Sequence, residues 1–329
     1  MLALDVAQVL LGIAILYWGA EWLIRGSASI ARVFGVKPLV VGLTVVAYGT
    51  SAPELTVATK TALAHNPPIA LGTVIGSCAA NISLILGLTA LISPPTIDGR
   101  IIRREVPVLI GSVIAIPILF RNGVLSRLEG MLLVACAVVF TIATLTISAR
   151  LDPDDASDES EAVARAAESG GSLGGKGRPR ASPGAAFAMS ALGLGLLVIG
   201  SDFFVRGGRG IAAQVGMSER MLGLTVIALG CALPELIGSL VAASRGHAAL
   251  AVGSVIGSNL LNVFLVLGVT ACLRPIRLGE RMHLVDLIGL VAITLLGVFV
   301  MRGSRRITRF EGGLLVAAYV AFIVCAALF

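Results

Sequence analysis

Gly42-Leu43-Thr44-Val45-Val46-Ala47-Tyr48-Gly49-Thr50-Ser51-Ala52-Pro53-Glu54-Leu55 places one glutamate directly after a proline, inside an apolar run long enough to cross a bilayer. A near copy follows: Gly223-Leu224-Thr225-Val226-Ile227-Ala228-Leu229-Gly230-Cys231-Ala232-Leu233-Pro234-Glu235-Leu236. A carboxylate at that depth costs at least about 2.5 kcal/mol, so it faces a partner, a water-filled cavity or a cation. The proline removes a backbone donor and is expected to break each helix locally, freeing carbonyls that can act as ligands. Matched breaks in two halves of a chain are the sequence mark of a transporter's ion site.

The surrounding composition supports a membrane protein. Of 329 residues, 57% are hydrophobic and only 13% charged, against about 25% charged in soluble domains. Mean hydropathy is +0.96, and apolar runs near 20 residues recur along the chain. The net charge of +6 is not a nucleic-acid footprint, because the basic residues fall in short loops between the apolar runs. The five cysteines, at 78, 136, 231, 272 and 325, have no paired spacing and read as small hydrophobes in apolar helices, with Cys231 singled out by its place in the second motif. The first residues carry Asp5 and no basic residue, so the first apolar run reads as a retained span rather than a cleaved signal.

The pattern predicts an all-α polytopic protein with ten transmembrane helices over 4–24, 38–64, 69–92, 106–121, 128–148, 185–206, 221–243, 249–273, 284–301 and 311–329. Residues 1–148 form a first five-helix repeat with its motif region over 42–91, and residues 185–329 a second with its motif region over 223–272. Between them, 149–184 is acidic at Asp152 to Glu161 and rich in Gly, Ser, Arg and Pro from Gly170 to Pro183, which reads as a disordered linker. Its acidic run lacks the ligand spacing of an EF-hand loop, and Gly170-Gly171-Ser172-Leu173-Gly174 matches a hydrolase elbow only by chance, with no strand before it.

A shift of 181 residues aligns the halves. It superposes Gly19 on Gly200, Glu21 on Asp202, Arg25 on Arg206, Pro53-Glu54 on Pro234-Glu235, and Asn81 on Asn262. It also superposes Gly72-Thr73-Val74-Ile75-Gly76-Ser77 on Gly253-Ser254-Val255-Ile256-Gly257-Ser258. Five spans per half is odd, so the second half enters the membrane from the other side and the repeats have inverted topology. With the linker inside, the inner loops hold sixteen basic residues and the outer loops eight. That bias favours a cytoplasmic linker with both termini outside, in a cell membrane, or the inner membrane of a Gram-negative cell. Glu21 with Arg25 and Asp202 with Arg206 are i, i+4 pairs at span ends, expected as boundary anchors. Asp286, near the start of the ninth span, is expected to reach the interface.

The paired motifs together supply carboxylates at Glu54 and Glu235, hydroxyls at Thr50, Ser51, Ser77 and Ser258, and amides at Asn81 and Asn262. Carbonyls such as those of Ala47 and Ala228 add to the set. These hard oxygen donors suit sodium, calcium or magnesium and suit zinc or copper poorly. Ser77 and Asn81 share one helix face, as do Ser258 and Asn262. Glycines four apart (Gly72 and Gly76, Gly253 and Gly257) allow close helix approach, a pattern that packing alone also produces. Two carboxylates balance one divalent cation, and empty they cannot both stay ionised cheaply in low dielectric, so protons compete with metal. A site that swaps one charge set for another implies an antiporter rather than an enzyme. No His-Glu-x-x-His motif or convincing nucleophile is present, and no cofactor is implied.

At these residues the chain resembles the cation/calcium antiporter superfamily, and within it the prokaryotic sodium/calcium exchanger type. Gly49-Thr50-Ser51-Ala52-Pro53-Glu54 is that family's first-repeat motif intact, and Gly257-Ser258-Asn259 matches its second, where the first repeat has Gly76-Ser77-Cys78. Gly19-Ala20-Glu21-Trp22-Leu23-Ile24-Arg25-Gly26 and Gly200-Ser201-Asp202-Phe203-Phe204-Val205-Arg206-Gly207 are also similar to the family's leading segments. The resemblance covers nearly all of the chain except the linker. It implies ten helices in an inverted repeat, four ion positions around the two glutamates, and electrogenic exchange, with the first and sixth helices sliding across the other eight. It further implies that Glu54, Glu235 and carbonyls at Thr50 and Cys231 hold calcium. Ala47, Ser77, Ala228 and Ser258 would hold sodium, with Ser51, Asn81 and Asn262 lining the central position.

Three departures stand out. The second repeat has Cys231-Ala232 where the family has Thr-Ser, and Asn262 where exchangers of this type commonly have Asp. Cys231 keeps its backbone carbonyl but its thiol is a poor sodium ligand, and Ala232 removes a hydroxyl. These changes bear on the counter-ion more than on divalent binding. The rival reading keeps the fold and uses protons as counter-ion, or carries another divalent; a passive channel is the reading from another class. The expected partners are calcium, sodium or protons and the lipid bilayer, with no nucleic acid; oligomeric state is open and a monomer suffices.

Overall fold

A computed structural model describes residues 2–34, 42–95, 97, 99–148, 183–244, 248–278, 284–303 and 306–328. Ten helical passes run through the described residues. The first and sixth are Leu2–Phe34 and Pro183–Gln214. At 33 and 32 residues they reach about 50 Å, well past a bilayer core and past the expected 4–24 and 185–206. The fourth, Gly99–Leu119, starts seven residues before the expected 106 because Arg100, Arg103, Arg104 and Glu105 wind as its polar first turns; Pro107 and Pro117 both lie inside it. The fifth, ninth and tenth are Arg127–Ser148, Leu284–Gly303 and Arg309–Leu328. Eight of the ten passes are long and apolar enough to cross a membrane; the second and fourth fall outside that set. The expected linker lies outside the described residues, apart from Pro183 and Gly184, which open the sixth pass.

The remaining four passes are irregular in matched places. The second pass consists of a π-helical turn Gly42–Val46, then Ala47–Thr50 and Ala52–Leu63. The seventh has Glu219–Leu222, a π turn Gly223–Ile227 and Ala228–Ser244. The third interposes a π turn Ala80–Ile85 between Pro67–Ala79 and Leu86–Ile92, and the eighth interposes Asn262–Leu267 between Ala248–Leu261 and Gly268–Leu273. The expected proline break occurs in the first half only: the helix is interrupted at Ser51 and resumes with Pro53 in its first turn. In the second half Pro234 sits inside a continuous helix, and the irregular turn precedes the motif instead.

The third and eighth passes form the centre, 94% and 83% buried along their spans, against 17–29% for the first, fifth, sixth and tenth. Consecutive passes alternate in direction, so one end of the bundle carries residues 148 and 183 and is the linker end. At the far end Val124 and Leu125 pair antiparallel with Arg277 and Ile276. At the linker end the corresponding tie is Ile307 N–H to the Pro95 carbonyl, 3.0 Å. The fifth and tenth helices both begin with a capping box: the Glu129 carboxylate accepts from Ser126, and that of Glu311 from Thr308.

The first and sixth passes lie antiparallel along a seam of glycines seven residues apart. Gly12 meets the Gly200 carbonyl, Gly19 the Leu197 N–H, Gly193 the Leu23 N–H and Gly200 the Leu16 N–H; a Cβ at any of them would fall within 2.9 Å of the partner backbone. Only glycine lets two helices approach that closely. The pairs Glu21–Arg25 (2.6 Å) and Asp202–Arg206 (2.7 Å) form as expected. Asp286 does not reach the interface. It is fully buried, and Arg220 donates to both its oxygens at 2.8 and 2.7 Å, a bidentate pair tying the start of the ninth pass to the start of the seventh. All five cysteines are free; Cys78 and Cys231 are buried, while Cys325 is exposed on the tenth pass.

Candidate cation site

Glycine packing brings the two motif regions together. Gly76 on the third pass lies against Leu224 and Ala228 of the seventh, and Gly257 on the eighth lies against Leu43 and Ala47 of the second. Each half therefore docks its third helix on the other half's motif, which carries residues 181 positions apart into one place. Gly72 likewise packs on the Gly223–Leu224 backbone. Asn259 and Cys78, themselves 181 apart, touch across the pseudo-twofold axis: Asn259 Nδ2 donates to the Cys78 carbonyl at 3.2 Å, and Cys78 Sγ to the Asn259 carbonyl at 3.9 Å.

Around that axis lies a set of buried oxygens without partners. Glu54 and Glu235 are 0% and 1% exposed, and none of their four carboxylate oxygens has a hydrogen-bond partner. The same is true of Ser51 Oγ and of both amide atoms of Asn81 and Asn262. The remaining expected residues sit beside them. Thr50 Oγ1 donates to the Val46 carbonyl at 3.0 Å and lies 3.4 Å from Ser258 Oγ, while Ser77 Oγ donates to the Ala228 carbonyl at 3.2 Å. Ser77 faces Glu54, Thr50 and Ser258 face Glu235, and the two carboxylates are within electrostatic range of each other and of Cys231. Thr50 and Ser258 are thus brought together, as are Ser77 and Ala228, and Ala47 packs against Gly257, next to Ser258. Lys60, six residues after Glu54, is exposed, and Glu54 forms no ion pair among the described residues.

Each buried polar atom left unpaired costs about 1–3 kcal/mol, and more when charged. So many in one place is a debt that a cation with hard-oxygen preference would cancel, since two carboxylates, hydroxyls and amide oxygens are its natural shell. No cluster of three His, Cys, Asp or Glu side chains forms among the described residues.

Two members were not singled out in the sequence as ligands. Ser239, 2% exposed with its hydroxyl unpartnered, stands one turn after Glu235 on the same helix face. Asn259 keeps an unpartnered Oδ1. The i, i+4 spacing from Glu235 was the available signal for the first.

The two ends of the bundle differ around this cluster. A cavity of ≈ 20 Å³, room for about one water, reaches Glu235 and Thr50 between Leu23, Val46, Ser239 and Ser254. It lies on the linker side, since Ser239 follows Glu235 toward Ser244 and Val46 precedes Thr50. At the corresponding far-end positions Ile227 and Cys231 are packed with Ile69 and Val205 in an apolar cluster.

Comparison with known proteins completes the description. The family model described as "Sodium/calcium exchanger protein" matches residues 4–146 and 185–328. The chain is 34% identical over 319 residues to the putative antiporter CaxA of Alkalimonas amylolytica, covering 95% of this chain and 96% of that one. It is 32% identical over 274 residues to the inner membrane protein YrbG of Escherichia coli, covering 83% and 81%. Its fold matches that of the sodium-calcium exchanger NCX_Mj soaked with Na+ and Sr2+, at a TM-score of 0.77 and 30% identity, over 98% of this chain and 99% of that one.

Proposed function

Since the chain belongs to the sodium/calcium exchanger protein family of multi-pass membrane antiporters, and is a transporter rather than an enzyme, we propose that it exchanges calcium for sodium at the cluster around Glu54 and Glu235. The observation that carries this reading is the set of unpartnered oxygens on those two glutamates, Ser51, Asn81 and Asn262. In the proposed cycle calcium sits between the carboxylates, whose two charges balance it, with carbonyls at Thr50 and Cys231. Sodium ions take overlapping positions near Ala47, Ser77, Ala228 and Ser258, with Ser51, Asn81 and Asn262 lining the centre. Either cargo neutralises the site and lowers the cost of turning it from one side to the other. The empty, charged site turns unfavourably in low dielectric, and that coupling makes flux antiport rather than leak.

The linker-side cavity at Glu235 and the apolar packing at its far-end counterpart describe a site nearer to opening on one side, as alternating access requires. We place residues 1–148 and 185–329 as the two repeats, 149–184 as a cytoplasmic linker and both termini outside, on the strength of the basic-residue bias. The membrane is the cell membrane, in keeping with the inner-membrane relative.

Calcium uptake into vesicles holding the purified protein tests the reading, with a sodium gradient and a pH gradient imposed separately. Sodium-driven uptake is expected. Uptake driven by the pH gradient alone would move the assignment to the second reading, a proton counter-ion. Specific residues favour that alternative: Cys231 and Ala232 stand where the family has Thr-Ser, and Asn262 where it commonly has Asp, so the second half offers sodium two fewer hydroxyls and one fewer carboxylate.

A further inference from the structure

At the end of the bundle opposite the linker, a cavity of ≈ 520 Å³ opens between the turn joining the second and third passes, the start of the fifth pass and the segment after the eighth. His65, Arg127, Arg274 and Arg277 line it, with Leu63 and Leu273. Among the described lining residues there is no carboxylate, so three fixed positive charges share one space.

Each of the four is held in place by the fold. The helix Ala52–Leu63 ends in a Schellman arrangement, with His65 N–H donating to the Ala62 carbonyl at 3.1 Å and Asn66 N–H to the Thr61 carbonyl at 2.9 Å. His65 therefore adopts φ 64°, a left-handed position normally given to glycine or asparagine. Its ring nitrogens Nε2 and Nδ1 lie 2.9 and 2.8 Å from Nη1 and Nη2 of Arg274. A neutral imidazole offers one acceptor and a guanidinium offers none. One of the two contacts therefore sets N–H against N–H, and the pair lacks an acceptor of its own. Arg277 is fixed by its strand pairing with Val124 and by Leu278 N–H on the Gly123 carbonyl, 2.8 Å. Arg127 begins the fifth helix, where the helix dipole already presents positive charge and disfavours a cation.

The inverted repeat supplies an internal control. The 181-residue offset carries His65, Arg127, Arg274 and Arg277 onto Gly246, Thr308, Ser93 and Thr96. None of those four counterpart positions carries a base, so the repeat by itself does not call for the cluster. Its members also come from both halves: His65 caps the helix bearing Glu54, and Arg274 and Arg277 follow the pass bearing Ser258 and Asn262.

We propose that this cavity binds the phosphate of an anionic phospholipid headgroup, bridging the two repeats at the far end. Three arginines and a histidine supply the donors a phosphodiester accepts. Leu63 and Leu273, 52% and 49% exposed at the ends of their helices, offer apolar surface for the adjoining acyl chains. The cavity, at ≈ 520 Å³, is far larger than a free ion needs.

Native mass spectrometry of the detergent-purified full-length protein, titrated separately with phosphatidylglycerol, phosphatidylcholine and inorganic phosphate, tests this. Retention of phosphatidylglycerol over phosphatidylcholine is expected, with Arg274→Gln plus Arg277→Gln weakening it about thirtyfold. His65→Asn with Arg127→Gln, which keeps a residue tolerant of the left-handed turn, is expected to weaken it as well and serves if the first variant fails to fold. Equal retention of both lipids, or unchanged retention in a folded variant, would overturn the site. Inorganic phosphate displacing the lipid at equal concentration would overturn the lipid assignment.

Discussion

Gly76→Ala offers a direct reading of how closely the two halves must meet. A methyl group there would lie 2.6 Å from Ala228 Cβ and 3.0 Å from the Leu224 carbonyl carbon. Carbon atoms rest at about 3.5–4.0 Å, so the third pass must back away from the seventh by roughly 1 Å. Ser77 Oγ, 3.2 Å from the Ala228 carbonyl, would then lose its hydrogen bond. Overpacking of this kind costs about 1–3 kcal/mol, and stranding a buried donor adds about 1–3 kcal/mol, so a loss of about 3 kcal/mol is expected. Gly257→Ala meets Ala47 Cβ at 3.0 Å and Leu43 Cα at 3.1 Å, a milder clash expected to cost about 1 kcal/mol. Gly111 has nothing within 4 Å of a Cβ, so Gly111→Ala should cost nothing. Thermal unfolding of the three detergent-purified variants should rank 76, 257, 111 from least to most stable, and calcium flux in vesicles should follow that order. An equal loss at Gly111, or a larger loss at Gly257 than at Gly76, would refute the geometric argument.

Three further outcomes are expected. Glu54→Gln or Glu235→Gln removes half of the charge that balances a divalent cation, and vesicle flux should fall to background in each; flux at the parental level in either would end the two-carboxylate model. Ala232→Ser combined with Asn262→Asp restores a hydroxyl and a carboxylate to the second half, and sodium-driven calcium uptake should strengthen; an unchanged sodium dependence would mean the central position is not limiting. Arg220→Met strands the buried Asp286 carboxylate and should destabilise by about 3–5 kcal/mol in chemical unfolding, whereas Arg220→Met with Asp286→Leu should recover most of that loss. A double variant as unstable as the single would show that the desolvation argument fails.

Much of the candidate site was legible because a duplicated chain prints its motif twice. Pro53-Glu54 and Pro234-Glu235 stand at one offset, and the fold joins Thr50 to Ser258 and Ser77 to Ala228 across the two halves. The irregular turns were not legible, since Gly42–Val46 and Asn262–Leu267 carry no composition that separates a π turn from an α turn. Proline is the sequence's one signal of irregularity, yet Pro234 is absorbed by a helix whose disturbance lies at Gly223–Ile227. Asp286 read as an interface residue because its partner Arg220 is 66 positions away, and span patterns rank charge by depth without pairing it. The far-end basic cavity has the same origin: His65 and Arg274 are 209 residues apart, and only tertiary packing joins them.

The glycine seam between the first and sixth passes also carries the symmetry of the repeat. Gly200 is the counterpart of Gly19, and Gly193 that of Gly12. Gly12 against Gly200 and Gly19 against Gly193 are thus one contact made twice. Such a contact is isologous, the kind that closes a twofold homodimer. A single half-length polypeptide carrying Gly12 and Gly19 would present a surface complementary to an upside-down copy of itself. The seam therefore has the symmetry of a twofold dimer interface, held within one strand.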